Sequence, residues 1–262
     1  MVETAFLEGL YRRYNRRCHA ERDPVGLLHA FDDVRERETA ALIVACLAYG
    51  RVEQIMRSAR EALHRLGGEP RRFITSVTPQ ELRRACAGFV HRVVNGERLW
   101  RLTWCIKDML ERHGSLEACF AKHDDDAQAT VLPGLRGLAA ELRQKDYAPR
   151  HLIAEPSKGS ACKRWNLFLR WMVRSDRVDP GGWSCAGPAR LIVPLDAHMW
   201  RICRPLGLTE RRSCNLAAAL EVTAAFRRMC PQDPVRYDFA LMHASAAGEL
   251  RQVPEPDGGG SG

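Results

Sequence analysis

The sequence predicts an all-α protein built of two helical lobes with a cleft between them. Apolar residues recur about every 3.6 positions along nearly the whole chain, and alternating strand-like patterns are scarce. The segment 38–49 is apolar almost all round, which is typical of a helix in the middle of a core. With 262 residues, of which 45% are hydrophobic, the chain is long and apolar enough to bury such a core.

Helix boundaries are predicted from capping residues and from glycine or proline breaks. The predicted helices cover 4–15, 38–49, 52–66, a short stretch from 79, 96–112, 135–142, both sides of a turn within 152–174, 197–206, 215–229 and 235–246. Residues 1–257 are predicted to form one domain. The glycine-rich end, 258–262, is predicted to be a flexible tail.

The charge composition favours a polyanionic partner. The chain carries 40 Lys and Arg against 32 Asp and Glu, a net charge of +8, and each phosphate neutralised by such a surface releases counterions. Only five of the basic residues are lysines. A lysine is therefore a rare choice in this chain, and each lysine is a candidate for a specific role.

The ten cysteines are scattered, and no two are spaced as in a zinc ribbon. They are predicted to be reduced thiols, and no metal, iron–sulfur cluster or other cofactor is expected. The sequence has no run of about 20 apolar residues that would span a membrane, and residues 1–10 lack the layout of a signal peptide. A cytoplasmic, nucleoid-associated monomer is the resulting expectation.

Residues 150–174 are predicted to form a helix-hairpin-helix motif. Gly159 and Ser160 supply a tight turn, and the second helix begins near Ala161. Amides at the start of such a helix point outward and favour an anionic phosphate. Because any pair of helices needs a turn of this kind, the motif by itself is weak evidence for DNA binding.

Lys163 is the first candidate catalytic residue. It lies in the first turns of the second hairpin helix, beside Arg164 and among large apolar side chains. Desolvation of the amine favours its neutral form, which is what a nucleophile requires. The alternative is an ordinary surface lysine on an amphipathic helix.

Asp196 is the second candidate. It follows an apolar run and stands at the predicted start of the helix 197–206. A simple N-cap role accounts for an aspartate at this position. That role is compatible with catalysis, since a carboxylate at a helix start beside a cleft would stabilise positive charge on a deoxyribose ring.

Several segments resemble a known superfamily. The segment 193–200, Val-Pro-Leu-Asp-Ala-His-Met-Trp, resembles the aspartate segment of 8-oxoguanine DNA glycosylases. Together with the hairpin and the lysine, it is similar to the helix-hairpin-helix DNA glycosylase superfamily. The wide spacing of Lys163 and Asp196 is similar to the archaeal 8-oxoguanine glycosylase branch and to its bacterial relatives, which segments 47–51, 162–174 and 237–241 also resemble. The resemblance spans roughly residues 24–245.

The resemblance implies a mechanism on double-stranded DNA that contains a modified base. The base is flipped into the cleft, Lys163 attacks C1′, and a Schiff base forms that can lead to strand cleavage. Asp196 would activate the lysine and stabilise the developing cation. His198 would contact a phosphate, and Arg51 would fill the vacated stack or contact the opposite strand, unless it is simply a solvated turn residue.

The turn departs from the usual Leu-Pro-Gly-x-Gly form of the superfamily, so Lys158 stands as an alternative nucleophile. Aromatic residues are the candidates for stacking on a flipped base, with Trp171 at a spacing more typical of a core. The predicted base pocket consists of Trp165, Phe168, Trp183 and Trp200.

The sequence leaves the substrate open. Excision of an oxidised purine such as 8-oxoguanine is the first hypothesis, by resemblance. Excision of a hypermodified base, such as glucosylated hydroxymethylcytosine of phage DNA, is an alternative enzyme function. A helical DNA-binding module without catalysis is an alternative of a different class, and a plain helical scaffold is a third.

Overall fold

The computed structural model describes residues 2–252 and is predominantly helical, which confirms the predicted all-α class. Within these residues there are thirteen α-helices and one two-stranded antiparallel sheet. The helices are α1 (Thr4–Tyr14), α2 (Arg17–Ala20), α3 (Val34–Leu47), α4 (Val52–Arg65), α5 (Pro70–Ser76), α6 (Pro79–Cys86), α7 (Gly96–His113), α8 (Leu116–His123), α9 (Leu132–Leu142), α10 (Lys163–Val173), α11 (Ala197–Cys203), α12 (Leu216–Met229) and α13 (Asp238–Ala246). The strands are β1 (Val90–His91) and β2 (Val94–Asn95).

Side-chain caps fix several helix starts. Asp33 accepts a hydrogen bond from the Arg35 amide at the start of α3. Thr78 and Glu81 form a reciprocal capping box at α6. Such caps satisfy amides that have no partner inside the helix. The predicted starts at 79 and 96 therefore agree with the structure, and most other predicted ends lie within a few residues of the observed ones.

The helix α3 lies at the centre of the molecule, as its apolar sequence predicted. Its residues from Thr39 to Leu47 are all buried, and it packs against α4, α5 and α10. The buried apolar side chains of the described residues form one contiguous core. The division into two lobes therefore stays a prediction. The cavities described below are lined by residues from both halves of the chain. All ten cysteines are free.

The predicted first helix of the hairpin is wrong. Between the end of α9 and the start of α10 the chain makes turns and a single short 3-10 turn, Pro156–Lys158. Pro149 and Pro156 flank this segment, and a proline lacks an amide donor and disfavours the α conformation of the residue before it. The guanidinium of Arg143 donates to the carbonyls of Ile153, at 2.6 Å, and Arg150, at 3.3 Å. The turn is present, but of the two predicted helices only the one after it, α10, is formed.

The strands β1 and β2 form a small hairpin that the sequence analysis did not predict. Val90 pairs with Asn95 and His91 with Val94. Arg92, at the tip, has φ +52°, a left-handed conformation that is uncommon outside glycine. Its side chain packs 3.1 Å from the position that a Cβ on Gly50 would take, so the hairpin tip lies against the loop after α3.

The N-terminal helix α1 packs against α13, which lies near the other end of the described chain. The hydroxyl of Tyr14 donates to Glu249 at 2.7 Å, and the amide of Val2 donates to the carbonyl of Leu206 at 2.8 Å. The predicted flexible tail, 258–262, lies outside the described residues. No helix within residues 2–252 combines the length and apolarity needed to cross a membrane.

Candidate functional site

One face of α10 lines a cavity of about 310 Å³. Lys163, Leu167, Arg170 and Trp171 are spaced by four, three and one positions, which places them on a common face of the helix. The opposite walls come from the loops after α3 and before α11, and from α13. The cavity therefore lies where segments distant in sequence meet.

Lys163 and Asp196 face each other in the wall of this cavity. The lysine Nζ lies 3.0 Å from Oδ2 of the aspartate, and both side chains are 29% exposed. Lys163 is the first residue of α10, and the residue before it, Cys162, has φ +51°. This left-handed conformation redirects the chain immediately before the lysine, and for a residue with a side chain it carries strain.

Asp196 combines a structural role with a charged one. One carboxylate oxygen, Oδ1, accepts hydrogen bonds from the amides of His198 and Met199, both at 2.9 Å, and so caps α11. The other oxygen faces Lys163. Burial raises the pKa of Asp196, but the charge of Lys163 and the two amides outweigh burial, and the net pKa is lowered. The carboxylate is therefore ionised at neutral pH and available to a cation beside it.

A buried ion network contributes two residues, Arg170 and Asp238, to the wall of the same cavity, and the sequence analysis did not find it. Arg170 pairs with Asp238 and with Asp179, the latter at 3.2 Å. Arg174 pairs with Asp179 and, at 2.9 Å, with Asp233. Burial raises the pKa of Asp238 to about 6, against the lowering effect of Arg170. The cavity wall therefore contains a second ion pair besides that of Lys163 and Asp196.

A second cavity of about 400 Å³ lies on the other side of the lysine–aspartate pair. It shares Ala48, Gly50, Lys163 and Asp196 with the first cavity, and Ser160 and Arg164 also line it. The pair therefore stands between two adjoining spaces. This arrangement gives an occupant two places to lie on either side of the same amine.

The sequence predicted that Gly159, Ser160, Arg164, His198 and Arg51 bind DNA, and Ser160 and Arg164 line this second cavity. Gly159 adopts φ +77°, and its carbonyl accepts a hydrogen bond from the amide of Leu216 at 2.9 Å. Ser160 is exposed beside it. Arg164 is committed to the protein instead, since it donates to the carbonyls of Cys46 and His151 at 3.1 and 2.8 Å.

His198 and Arg51 lie near the first cavity. His198 lines it, is exposed, and has Nε2 3.3 Å from the hydroxyl of Ser245. Arg51 is exposed at the N-cap of α4, next to the lining residue Gly50, and its side chain does not cap the helix. Both remain accessible to a bound ligand.

The predicted aromatic base pocket is corrected by the structure. Trp165, Phe168 and Trp183 are 3%, 0% and 5% exposed and belong to the core rather than to either cavity. Trp183 donates to Glu38 at 2.9 Å and contacts Phe168 edge to face. Trp165 and Phe168 are absent from the cavities because they lie on the face of α10 opposite Lys163.

Trp200 is also outside both cavities. Its indole donates to the carbonyl of Arg211 at 3.1 Å, and Arg204 lies over its ring. The aromatic residues that do line the first cavity are Trp171 and Phe239. The spacing argument that assigned Trp171 to the core was half right, because the side chain is buried but borders the cavity.

Lys158, the alternative nucleophile, faces away from Asp196. Its side chain is 73% exposed, its Nζ lies 3.2 Å from Glu155, and it lines neither cavity. Of the two candidates, Lys163 is the lysine that the fold brings to the aspartate. Among the residues that the structure describes, no three His, Cys, Asp or Glu side chains are grouped so as to hold a metal ion.

Fold and site together define a predominantly α-helical protein with a lysine–aspartate pair between two cavities. The chain belongs to the family described as "Protein of unknown function (DUF2400)", whose model matches residues 23–247. No curated protein and no solved structure matches the chain. The matched segment includes every residue that lines the two cavities.

Proposed function

We propose that this protein is a DNA glycosylase that excises a modified base, with Lys163 as the nucleophile. The observation that carries the proposal is the 3.0 Å contact of Lys163 and Asp196 in the wall of a cavity. An amine beside a carboxylate and partly exposed at a cavity is an arrangement that suits a nucleophile activated by a neighbouring base.

The proposed reaction begins with a base flipped from the duplex into the cavity. Lys163 passes a proton to Asp196, and its Nζ forms a bond to C1′ of the deoxyribose. The bond between C1′ and the base breaks, and its electron pair leaves with the base, which takes up the proton from Asp196. Asp196 is ionised again by this transfer, and its carboxylate stabilises the positive charge at the sugar. The C1′–O4′ bond then breaks as a proton passes from Nζ to O4′, and the opened sugar carries a Schiff base, from which strand cleavage can follow.

Duplex DNA is the proposed partner because of charge and accessibility around the cavities. The chain has a net charge of +8, and Arg51 and His198 are exposed beside the first cavity. Ser160 is exposed at the second. Side chains such as these can contact phosphates, and phosphate contacts position a duplex without reading its sequence. By resemblance, the first-choice substrate is an oxidised purine.

The test is a trapping experiment on duplexes that carry 8-oxoguanine, uracil, an alkylated base or glucosylated hydroxymethylcytosine. With borohydride present, the wild-type protein is expected to form a covalent adduct with one of them, and Lys163→Gln is expected to form none. Lys158→Gln is the matched control and should behave as wild type. Free base without an adduct would point to water as the nucleophile, and tight binding without either product would overturn the glycosylase proposal.

A further inference from the structure

The indole nitrogen of Trp171 is a buried hydrogen-bond donor with no acceptor among the described residues. The side chain is 1% exposed, yet it lines the first cavity. Buried donors in folded proteins nearly always have a partner, because the loss of hydration without a replacement is unfavourable. An unpaired donor on a residue that lines a cavity indicates that its acceptor belongs to the occupant of the cavity.

Other tryptophans show what a structural indole does in this protein. Trp165 donates to the carbonyl of Ala154 at 3.0 Å, and Trp183 donates to Glu38 at 2.9 Å. Trp100 also lacks an acceptor among the described residues, but it lies on α7 and lines neither cavity described here. Among these four tryptophans, Trp171 is the one that has both an unpaired indole donor and a place in the wall of a cavity.

The position of Trp171 along α10 matches what a flipped base needs. Lys163 and Trp171 lie on the same face of the helix, and eight residues correspond to about 12 Å along the helix axis. Both residues line the first cavity. In a base that fills this cavity with its sugar carbon at Lys163, the edge far from the sugar is the part that would meet Trp171.

We propose that Trp171 is a specificity-determining residue that donates its Nε1–H to an acceptor atom on the far edge of the flipped base. The nature of the ligand rests on the proposed glycosylase function. A base that presents an N–H at this edge leaves the indole unsatisfied, and a site built around a buried hydrogen bond rejects such a ligand strongly. Trp171 thereby selects among bases that fit the cavity equally well.

The kinetic test compares Trp171→Phe with two matched variants, Trp100→Phe and Trp165→Phe. Each loses an indole N–H and similar packing, and each is assayed at a temperature where circular dichroism shows it folded. For the best substrate of the wild-type protein, Trp171→Phe should lower single-turnover kcat/KM by about tenfold, the value of one hydrogen bond. The two controls should stay within about twofold. Equal rates for Trp171→Phe and the controls would overturn the proposal.

A second measurement does not depend on activity. In the ¹⁵N-labelled wild-type protein, the indole signal of Trp171, assigned from the Phe variant, is followed during titration with 8-oxo-2′-deoxyguanosine. A downfield shift of this signal, with that of Trp100 unmoved, supports the proposal even if no duplex is cut, in which case the glycosylase reaction alone fails. Excision by the wild type without any effect on Trp171 overturns the proposal and leaves the glycosylase function standing. Neither excision nor a shift overturns both.

Discussion

Lys163 and Asp196 are brought to within 3.0 Å by two helix starts, since the lysine opens α10 and the aspartate caps α11. The aspartate uses separate oxygens for the two tasks, Oδ1 for the helix amides and Oδ2 for the lysine. Because of this division, the capping role and the charge of Asp196 can be removed one at a time.

Asp196→Asn should keep the cap and lose the charge. Asparagine caps helices as well as aspartate does, so the free energy of unfolding should change by less than about 1 kcal/mol, while adduct formation should fall by roughly a hundredfold or more. Asp196→Ala removes both the cap and the charge. Its free energy of unfolding should be about 1 kcal/mol lower than that of Asp196→Asn. Urea unfolding and borohydride trapping measure the two effects, and an Asn variant with full trapping activity would exclude a role for the charge.

The stability of the protein should depend on the ionisation of Asp238. Its folded-state pKa is raised to about 6 by burial, whereas an aspartate in an unfolded chain titrates near 3.9. Between these values the folded state holds a proton that the unfolded state has released, so this group lowers stability as pH rises from about 4 to 6. Thermal melts across that range should show the decline in the wild type, and the Asp238→Asn variant should lack it. If the difference in stability between the wild type and Asp238→Asn stays constant with pH, the assignment to Asp238 is wrong.

Arg170 should be one of the least replaceable residues of the site. Its guanidinium is buried against Asp179 and Asp238. Its removal leaves the buried carboxylate of Asp238 without this partner, while Asp179 keeps its pair with Arg174. Arg170→Met is expected to lower the free energy of unfolding by about 3–5 kcal/mol. The control is Arg13→Ala. The side chain of Arg13 is 63% exposed and pairs with Glu249, so its loss should change the free energy of unfolding by less than about 1 kcal/mol. Equal losses in urea titrations would show that the network adds nothing to stability.

Arg51 should contribute to DNA affinity through a phosphate contact. It is exposed and follows Gly50, which lines the first cavity. Arg51→Ala is expected to weaken binding to modified and unmodified duplexes alike, and to reduce the slope of log K against log salt by about one. Fluorescence anisotropy at several salt concentrations measures this slope. Arg72→Ala, at an arginine that pairs with Glu69 and lines neither cavity, should leave it unchanged.

The sequence predicted the helical class and the lysine–aspartate pair for different physical reasons. Helix periodicity is a local signal and is present in almost every segment, so boundaries such as those of α4 and α7 were close. Lys163 was predicted from the scarcity of lysine and its position beside the turn, and Asp196 from its position at a helix start. The resemblance then linked the two residues, and no rule about distance did so. The structure adds the contact itself, which no local pattern encodes.

The errors also have identifiable physical causes. The expected helix before the turn is absent, and Pro149 and Pro156 flank the segment in which it was predicted. The aromatic pocket was misplaced because stacking residues were chosen by type, although the face of α10 decides which of them meets the cavity. The network of Arg170 and Asp238 joins residues far apart in sequence, and such pairs leave no periodic signal.

The packing of α1 against α13 has a consequence for how the chain folds during synthesis. The wall of the first cavity that contains Asp238 belongs to α13, whose helical partner α1 is made more than 200 residues earlier. The contact between the two helices therefore forms only after α13 has left the ribosome, long after α1 has been made. The first cavity, whose wall includes Asp238, is likewise complete only once α13 is present.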